Sequence, residues 1–171
     1  GIARGGSLIF YASILSMVKK KFKVIGVDIN LHKHNRKSIN NSKFSKFIKI
    51  IDGSSVDKKL FLKIKRLIKK KSKVLVILDS DHSKKHVYEE CKLYSSLVST
   101  NSYLIVADTI LGFMNKNQTP KMRSKIWYRN NEPMSAANKF LTENKDFKID
   151  KTLNGKLIFS SSFNGYLKKI R

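Results

Sequence analysis

The sequence is short of cysteine and of long apolar runs, and each shortage excludes a class of protein. Cys91 is the only cysteine among 171 residues, so an intrachain disulfide and a site built from several cysteines are both excluded. No apolar run approaches the roughly 18 residues that a membrane span needs, and the first residues lack the layout of a secretory signal. We therefore predict a cytoplasmic protein and leave peripheral association with a membrane open.

Acidic residues are also few, with 12 Asp and Glu against 36 Lys and Arg, which gives a net charge of +24. The basic residues comprise 30 lysines and only 6 arginines, whereas recognition of bases and phosphates favours the arginine fork. Between residues 57 and 71 the lysines occupy the polar face of an amphipathic helical pattern. We predict a solvated basic surface that favours anionic partners such as a polyanionic glycan or a membrane surface, and no specific nucleic-acid site.

Apolar runs alternate with amphipathic ones, as in an α/β protein with a parallel sheet. Strands are predicted at 23–28, 47–53, 73–81 and 102–108, with later candidates at 156–159 and 165–169. Helices are predicted at 7–20, 57–71, 83–97 and 134–144. The segment 109–134 holds both prolines and the only tryptophan without periodicity, which predicts a functional loop such as a lid. Because neither a repeat nor a linker is evident, we predict one domain over 1–171.

Polar residues gather where the predicted strands end. The segments "DSDH" (79–82) and "ADT" (107–109) follow two of them, and ligands of parallel sheets bind at the carboxyl ends of strands. We therefore expect Asp79, Asp81, His82 and Asp108 to converge in one crevice. Carboxylates from neighbouring strands could hold Mg²⁺, although Asp81 could instead cap the helix that follows. His82 could serve as a general base near neutral pH.

A glycine-rich turn opens the chain and precedes an apolar helical run. Such a turn lets the backbone approach a ligand, and the helix after it directs N–H groups at polar or anionic atoms. Asp28 lies 22 residues after Gly6, at the end of the next predicted strand, where a carboxylate accepts hydrogen bonds from ribose hydroxyls. The turn and the acid together predict a cofactor that contains adenosine.

Five segments resemble the cephalosporin hydroxylase/rhamnosyl O-methyltransferase family over nearly the whole chain. They are "GIARGGS", "VIGVDI", "IDGSS", "VLVILDSDHSKKHVYEECKLYSSLVSTNSYLIVADT" and "NGYLKK". The resemblance implies a Rossmann-like three-layer α/β sandwich of the class I methyltransferases, which use S-adenosylmethionine and often Mg²⁺. The arrangement is also similar to that of the divalent-metal catechol-type O-methyltransferases.

The resemblance implies positions for the cofactor. The residues carried over are Gly1, Gly5, Gly6 and Ser7 for its methionine part, Asp28 for the ribose, and Gly53, Ser54 and Ser55 for the border of the adenine.

The resemblance also implies a metal centre and a base. Asp108, with one or both of Asp79 and Asp81, would hold the metal, and His82 falls near the position where the catechol-type enzymes have a lysine base. Ala107 stands where the family usually has a further acid, which leaves fewer ligands. Family members have a strand and an acid before the first glycine of this turn, and this sequence has neither. We therefore expect the C-terminal part of a larger methyltransferase, poorly stable alone because the first strand of its sheet is missing.

These features predict methyl transfer from S-adenosylmethionine to a sugar hydroxyl of a glycan, a glycolipid or a secondary metabolite. Trp127 and Tyr128 could close over the acceptor. Three alternatives remain: a metal-dependent glycosyltransferase that uses the "DSD" pattern, a cephalosporin-hydroxylase-like oxygenase, and a non-enzymatic polyanion binder whose affinity falls steeply with salt. The oxygenase lacks a convincing set of two histidines and one carboxylate: His82 and His86 lie on one helical turn, but the pattern is weak. A homo-oligomer is left open.

Overall fold

The computed structural model of the chain describes residues 1–19, 21–118, 127–156 and 159–171. The chain divides into two compact units, Gly1–Leu60 and Phe61–Arg171. The single domain expected over 1–171 stays a prediction. Within the described residues, every helix is too short or too polar to cross a bilayer.

The first unit is built on two parallel strands. The chain runs through α1 (Gly6–Val18), β1 (Val24–Asp28), α2 (Lys33–Asn40) and β2 (Ile48–Asp52), and α3 (Lys58–Leu67) begins in this unit. Asp28 lies opposite Asp52 in the β1–β2 register, so both strands end in an acid at the same edge. A core of buried apolar residues packs α1 against the strands; its members are Ile2, Leu8, Ala12, Val24, Leu31 and Ile39.

The predicted strands at 23–28 and 47–53 and the helices at 7–20 and 57–71 are confirmed, with ends shifted by at most four residues. Helix α2 was not predicted. Its sequence, KHNRKSIN, holds one apolar residue, Ile39, so it shows no apolar stripe from which a helix could be inferred. Packing of the buried Ile39 side chain supports the helix instead.

The second unit holds a four-stranded mixed sheet. After α3 come β3 (Val76–Leu78), α4 (Lys84–Tyr94), β4 (Tyr103–Val106), α5 (Pro133–Glu143), β5 (Phe147–Ile149), α6 (Lys151–Lys156) and β6 (Tyr166–Lys169). The strand order is β3-β4-β6-β5. Strands β3 and β4 are parallel, as predicted, but β6 is antiparallel to both β4 and β5.

The predicted parallel pairing is therefore confirmed for β3 and β4, whereas the antiparallel direction of β6 was not predicted. The segment before β6 lies at the carboxyl end of β4, where Ser161 O accepts the Ile110 N–H at 3.0 Å. A strand that enters beside β4 at that end can only run back along it.

Several predicted elements are shorter in the structure. The strand expected at 73–81 is three residues long, so Asp79 and Asp81 lie in the turn after it. The helix expected at 83–97 is α4 followed by a 3₁₀ turn, Ser95–Leu97. The loop expected at 109–134 begins with a 3₁₀ helix, Thr109–Phe113. The strand candidate at 156–159 falls partly on residues 157–158, which lie outside the described residues.

Candidate functional site

Three side chains meet at the carboxyl ends of β3 and β4. Asp79 follows β3, His82 precedes α4, and Asp108 follows β4; each offers one ligand atom, and these atoms lie within 4.8 Å of one another. The His82 Nε2 atom is 3.3 Å from Asp79 Oδ1 and 3.4 Å from Asp108 Oδ2. The parallel pairing of the two strands brings their ends to one edge, which explains why residues 29 positions apart share a site.

His82 is the most shielded member of this cluster. Its side chain is 13% exposed, against 57% for Asp79 and 37% for Asp108. The Trp127 ring lies against it, with 4.7 Å between ring centroids. The Trp127 Nε1 atom is buried and has no hydrogen-bond partner within the described parts of the chain. The hydrogen bond to His82 lowers the pKa of Asp79 below its usual value, although partial burial acts in the opposite direction.

The backbone around Asp108 is held on two sides. Asp108 adopts a left-handed conformation with φ of 51°, which aspartate tolerates better than most residues. The buried Thr109 hydroxyl donates to Phe163 O at 2.6 Å, and the Ala107 N–H donates to Leu78 O at 2.9 Å. These bonds fix the backbone on both sides of Asp108, whose carboxylate lies in the cluster.

Asp81 does not belong to the cluster. Its Oδ1 accepts the N–H of Ser83 at 2.7 Å, in the turn that leads into α4, whose N-cap is Ser83. Burial acts to raise the pKa of Asp81, but the hydrogen bonds from Ser83 and the nearby histidines outweigh it, so the pKa is lowered. Of the two candidate ligands at 79 and 81, the structure brings only Asp79 to His82 and Asp108. A metal-binding role for Asp81 stays a prediction.

The chemistry of the donors in the cluster fits a divalent cation. Two carboxylates supply the oxygen ligands that Mg²⁺ and Mn²⁺ prefer, and the imidazole suits Mn²⁺, Fe²⁺ or Zn²⁺. Ala107, next to Asp108, offers no side-chain ligand. The arrangement can therefore hold a cation through Asp79 and Asp108, with His82 either as a third ligand or as a proton acceptor beside it.

The glycine turn of the first unit depends on Gly5. Its φ is +84°, and a Cβ added there would lie 2.4 Å from Ile39 Cγ1, so only glycine fits without strain. Gly1, Gly6 and Ser7 are exposed. Helix α1 starts at Gly6 and has no side-chain cap, which leaves its N-terminus open to a ligand.

Asp28 fastens this turn to the end of β1. Its Oδ2 accepts the N–H groups of Ile2 at 2.7 Å and Ala3 at 3.2 Å, and its Oδ1 accepts that of Asn30 at 2.8 Å. Burial acts to raise the pKa of Asp28, but these backbone donors outweigh it and lower the pKa. Each carboxylate oxygen carries two acceptor sites, so Asp28 can also accept a hydroxyl of a ligand.

The end of β2 is joined to the same acid. The Gly53 N–H donates to Asp28 O at 2.9 Å. Gly53 has a φ of +139°, and a Cβ added there would lie 2.5 Å from Leu60 Cδ1. Ser54 and Ser55 follow it and are half-buried. The structure thus places the predicted cofactor residues of β1, β2 and the glycine turn in one hydrogen-bonded region of the first unit.

Replacing Asp28 with alanine is expected to lower the free energy of unfolding at pH 7 by about 1–3 kcal/mol, because three backbone donors lose their acceptor. The lowered pKa means that the carboxylate stabilises the fold fully above its usual value of 3.8 and ceases to do so as the pH falls through the folded pKa. Urea unfolding at pH 7 and near pH 3 should show the difference between wild type and variant shrinking in acid. Asp146→Ala removes an exposed carboxylate and serves as the control; an equal loss there would refute the assignment.

Comparison with known proteins places the chain in a family. The model of the rhamnosyl O-methyltransferase/CmcI family matches residues 1–170. The chain belongs to this family. The resemblance inferred from the sequence is thereby confirmed.

Relatives in this family carry the name rhamnosyl O-methyltransferase. The chain is 36% identical over 110 residues to that of Mycobacterium tuberculosis (strain ATCC 25618/H37Rv), a match that covers 64% of this chain and 43% of the relative. It is 34% identical over 108 residues to that of Mycobacterium leprae (strain TN), covering 63% and 45%. The chain therefore matches less than half of the length of these relatives.

A solved structure shares the fold. MycE methyltransferase from the mycinamycin biosynthetic pathway, in complex with Mg and SAH, aligns with a TM-score of 0.50 at 14% identity. The alignment covers 87% of this chain and 37% of MycE. At this identity the likeness concerns the fold alone, and it confirms the predicted α/β methyltransferase fold class.

Two polar residues near the cluster, Ser80 and Glu90, were not among the predicted site residues. Glu90 lies on the buried face of α4 with Val87, Cys91 and Tyr94, and its Oε1 accepts the Ser80 hydroxyl at 2.7 Å. Its position, three residues after Val87 and four before Tyr94, is a signal that could have revealed it. An acid inside an apolar helical stripe is rarely buried without a partner.

Proposed function

We propose that this chain forms part of an S-adenosylmethionine-dependent O-methyltransferase that methylates a hydroxyl of a sugar-containing acceptor with the help of a divalent cation. The observation that carries the proposal is the position of His82 Nε2 between the carboxylates of Asp79 and Asp108. A partly shielded imidazole beside two carboxylates suits removal of a hydroxyl proton next to a bound cation. The names of the curated relatives support a rhamnosyl acceptor.

The first unit would bind the cofactor. Asp28 would accept hydrogen bonds from the ribose hydroxyls, while its bonds to the backbone keep the glycine turn in place. The open N-terminus of α1, at Gly6 and Ser7, would face the methionine part. Gly53, Ser54 and Ser55 would border the adenine. The SAH in the MycE complex supports this class of cofactor.

The second unit would carry the chemistry. A divalent cation held by Asp79 and Asp108 would lower the pKa of the acceptor hydroxyl and orient it. The His82 imidazole would accept the hydroxyl proton as the acceptor oxygen bonds to the methyl carbon. S-adenosylmethionine, when bound, would supply that methyl group, and the electron pair of the broken carbon–sulfur bond would stay on the sulfur of S-adenosylhomocysteine. The Asp79 carboxylate would stabilise the charged imidazole that results.

Trp127 would shape the acceptor side of the site. Its ring covers His82, and aromatic faces pack well on the apolar faces of sugars. Its buried indole N–H has no partner among the residues that the structure describes and could donate to an acceptor oxygen. Tyr128, the next residue, is exposed and could extend the same surface. The sugar would belong to a glycan, a glycolipid or a secondary metabolite.

Calorimetric titration tests the cofactor assignment directly. S-adenosylmethionine is expected to bind the chain with a dissociation constant in the micromolar range; a constant of about 1 μM corresponds to a binding free energy of about −8 kcal/mol. A uridine diphosphate sugar is expected to release no heat of binding. Binding of the nucleotide sugar instead, by protein shown to be folded, would overturn the proposal and favour the metal-dependent glycosyltransferase.

Paramagnetic resonance of Mn²⁺ tests the metal assignment in the same preparation. Asp108→Asn is the suitable variant, because asparagine also tolerates the left-handed backbone found at this position. We expect this substitution to weaken Mn²⁺ binding at least tenfold. Equal affinity of variant and wild type would remove Asp108 from the metal centre.

A further inference from the structure

The acid Glu90 of α4 is buried to an unusual degree for a carboxylate. It is 2% exposed, and its Oε1 accepts the Ser80 hydroxyl at 2.7 Å and lies 3.6 Å from His86 Nε2. Its Oε2 is buried without a hydrogen-bond partner among the residues that the structure describes. Burial of a carboxylate costs stability unless all of its hydrogen bonds are made. An apolar residue on this face of α4 would avoid that cost, so the acid needs another explanation.

Ser80, the partner of Glu90, lies between Asp79 and Asp81 in the turn that follows β3. This turn carries two of the three members of the cluster, Asp79 and His82. Other hydrogen bonds of this segment are local. The Asp81 carboxylate accepts the N–H of Ser83, and Asp79 contacts His82 three residues along the chain. The bond from Ser80 to Glu90 is different in kind, because it ties the middle of the turn to the second turn of a helix ten residues farther along the chain.

We propose that Glu90 is a positioning residue that anchors the turn 79–82 through the Ser80 hydroxyl, so that Asp79 and His82 stay directed at Asp108. The anchor is a property of the fold and stands without a ligand. Its consequence for cation binding rests on the proposed function. Partners outside the ligand shell commonly change metal affinity by 10–100-fold when they are removed.

Ser80→Ala is the decisive variant, because it removes one hydroxyl and leaves the buried helix face intact. Amide hydrogen exchange of the chain without added metal is expected to become about tenfold faster in residues 79–83. Exchange in α5, Pro133–Glu143, is expected to stay unchanged. Ser96→Ala is the matched control, since Ser96 is exposed and its hydroxyl donates to Leu93 O in its own turn. Unchanged exchange at 79–83 would overturn the proposal, as would an equal acceleration throughout the second unit.

A second measurement links the anchor to the cation. Mn²⁺ affinity is expected to fall about tenfold in Ser80→Ala. It is expected to stay near wild type in Glu90→Gln, because the amide oxygen of glutamine can still accept the Ser80 hydroxyl. Loss of affinity in Glu90→Gln equal to that in Ser80→Ala would refute positioning through this bond. If the wild type itself does not bind Mn²⁺, the proposed metal centre is wrong, while the exchange measurement still decides whether the anchor exists.

Discussion

Replacing His82 with asparagine is expected to lower kcat for methyl transfer by about 10²–10⁴, the usual contribution of a positioned general base. The geometry gives the reason, since His82 Nε2 lies within 3.4 Å of both carboxylates. Asparagine fills part of the same space against Trp127 but cannot accept a proton at neutral pH. Formation of S-adenosylhomocysteine in the presence of Mg²⁺ and a rhamnosyl-containing acceptor measures the rate.

Two comparisons keep the His82 result interpretable. His34→Asn makes the same exchange at an exposed position in α2 and is expected to leave the rate unchanged. Mn²⁺ affinity separates the two roles that the geometry allows for His82. If His82 acts only as a base, the variant binds Mn²⁺ with an affinity near that of wild type. If His82 is a third ligand, its loss weakens Mn²⁺ binding by an order of magnitude or more. A kcat within threefold of wild type would exclude His82 as the base.

Replacing Gly165 with alanine is expected to destabilise the second unit by about 3 kcal/mol, at the upper end of the range for overpacking. A Cβ at Gly165 would lie 2.1 Å from Val106 O and 3.0 Å from Ser162 O, which are both backbone atoms. Backbone atoms cannot move aside as a flexible side chain can. Relief would require β4 and β6 to separate where the Val106 N–H now donates to Gly165 O at 2.9 Å.

The position of Gly165 also connects it to the candidate site. Val106 is the last residue of β4, two residues before Asp108, so displacement of the strand end is expected to weaken Mn²⁺ binding as well. Urea unfolding measures the stability, and Gly155→Ala is the control, because a Cβ there has no neighbour within 4 Å. Alanine in α6 should be neutral or slightly stabilising. If both variants unfold at the same urea concentration, the contact with Val106 O does not constrain the fold.

Prediction from the sequence succeeded where the pattern of side chains is local. The continuous apolar runs that form β1, β2, β3 and β4 identified the strands that carry the candidate sites, and their acids marked the carboxyl ends. It failed where an element is short or polar. Strand β5 has three residues with a lysine at the centre, unlike the all-apolar β3, and α2 has one apolar residue, so neither shows the pattern on which such predictions depend.

The cluster itself was only partly predictable. Asp79, Asp81, His82 and Asp108 were all expected in one crevice, and three of them meet. Asp81 differs because β3 ends at Leu78 rather than at 81. In the turn that follows, the Asp81 carboxylate takes the nearest free backbone donor, the N–H of Ser83. Aspartate commonly makes this local bond two residues along the chain, and it competes with any more distant role.

The sequence by itself determined the family, the parallel strand pairs and the acids at their ends, because apolar periodicity and motif spacing are properties of neighbouring residues. Only the tertiary structure decided which acid joins His82 and Asp108, the antiparallel direction of β6, and the hydrogen bond between Ser80 and Glu90. Each of these depends on contacts between residues far apart in the chain, such as Gly165 with Val106. Such contacts are set by packing and hydrogen-bond satisfaction in the folded units, and no local pattern of residues records them.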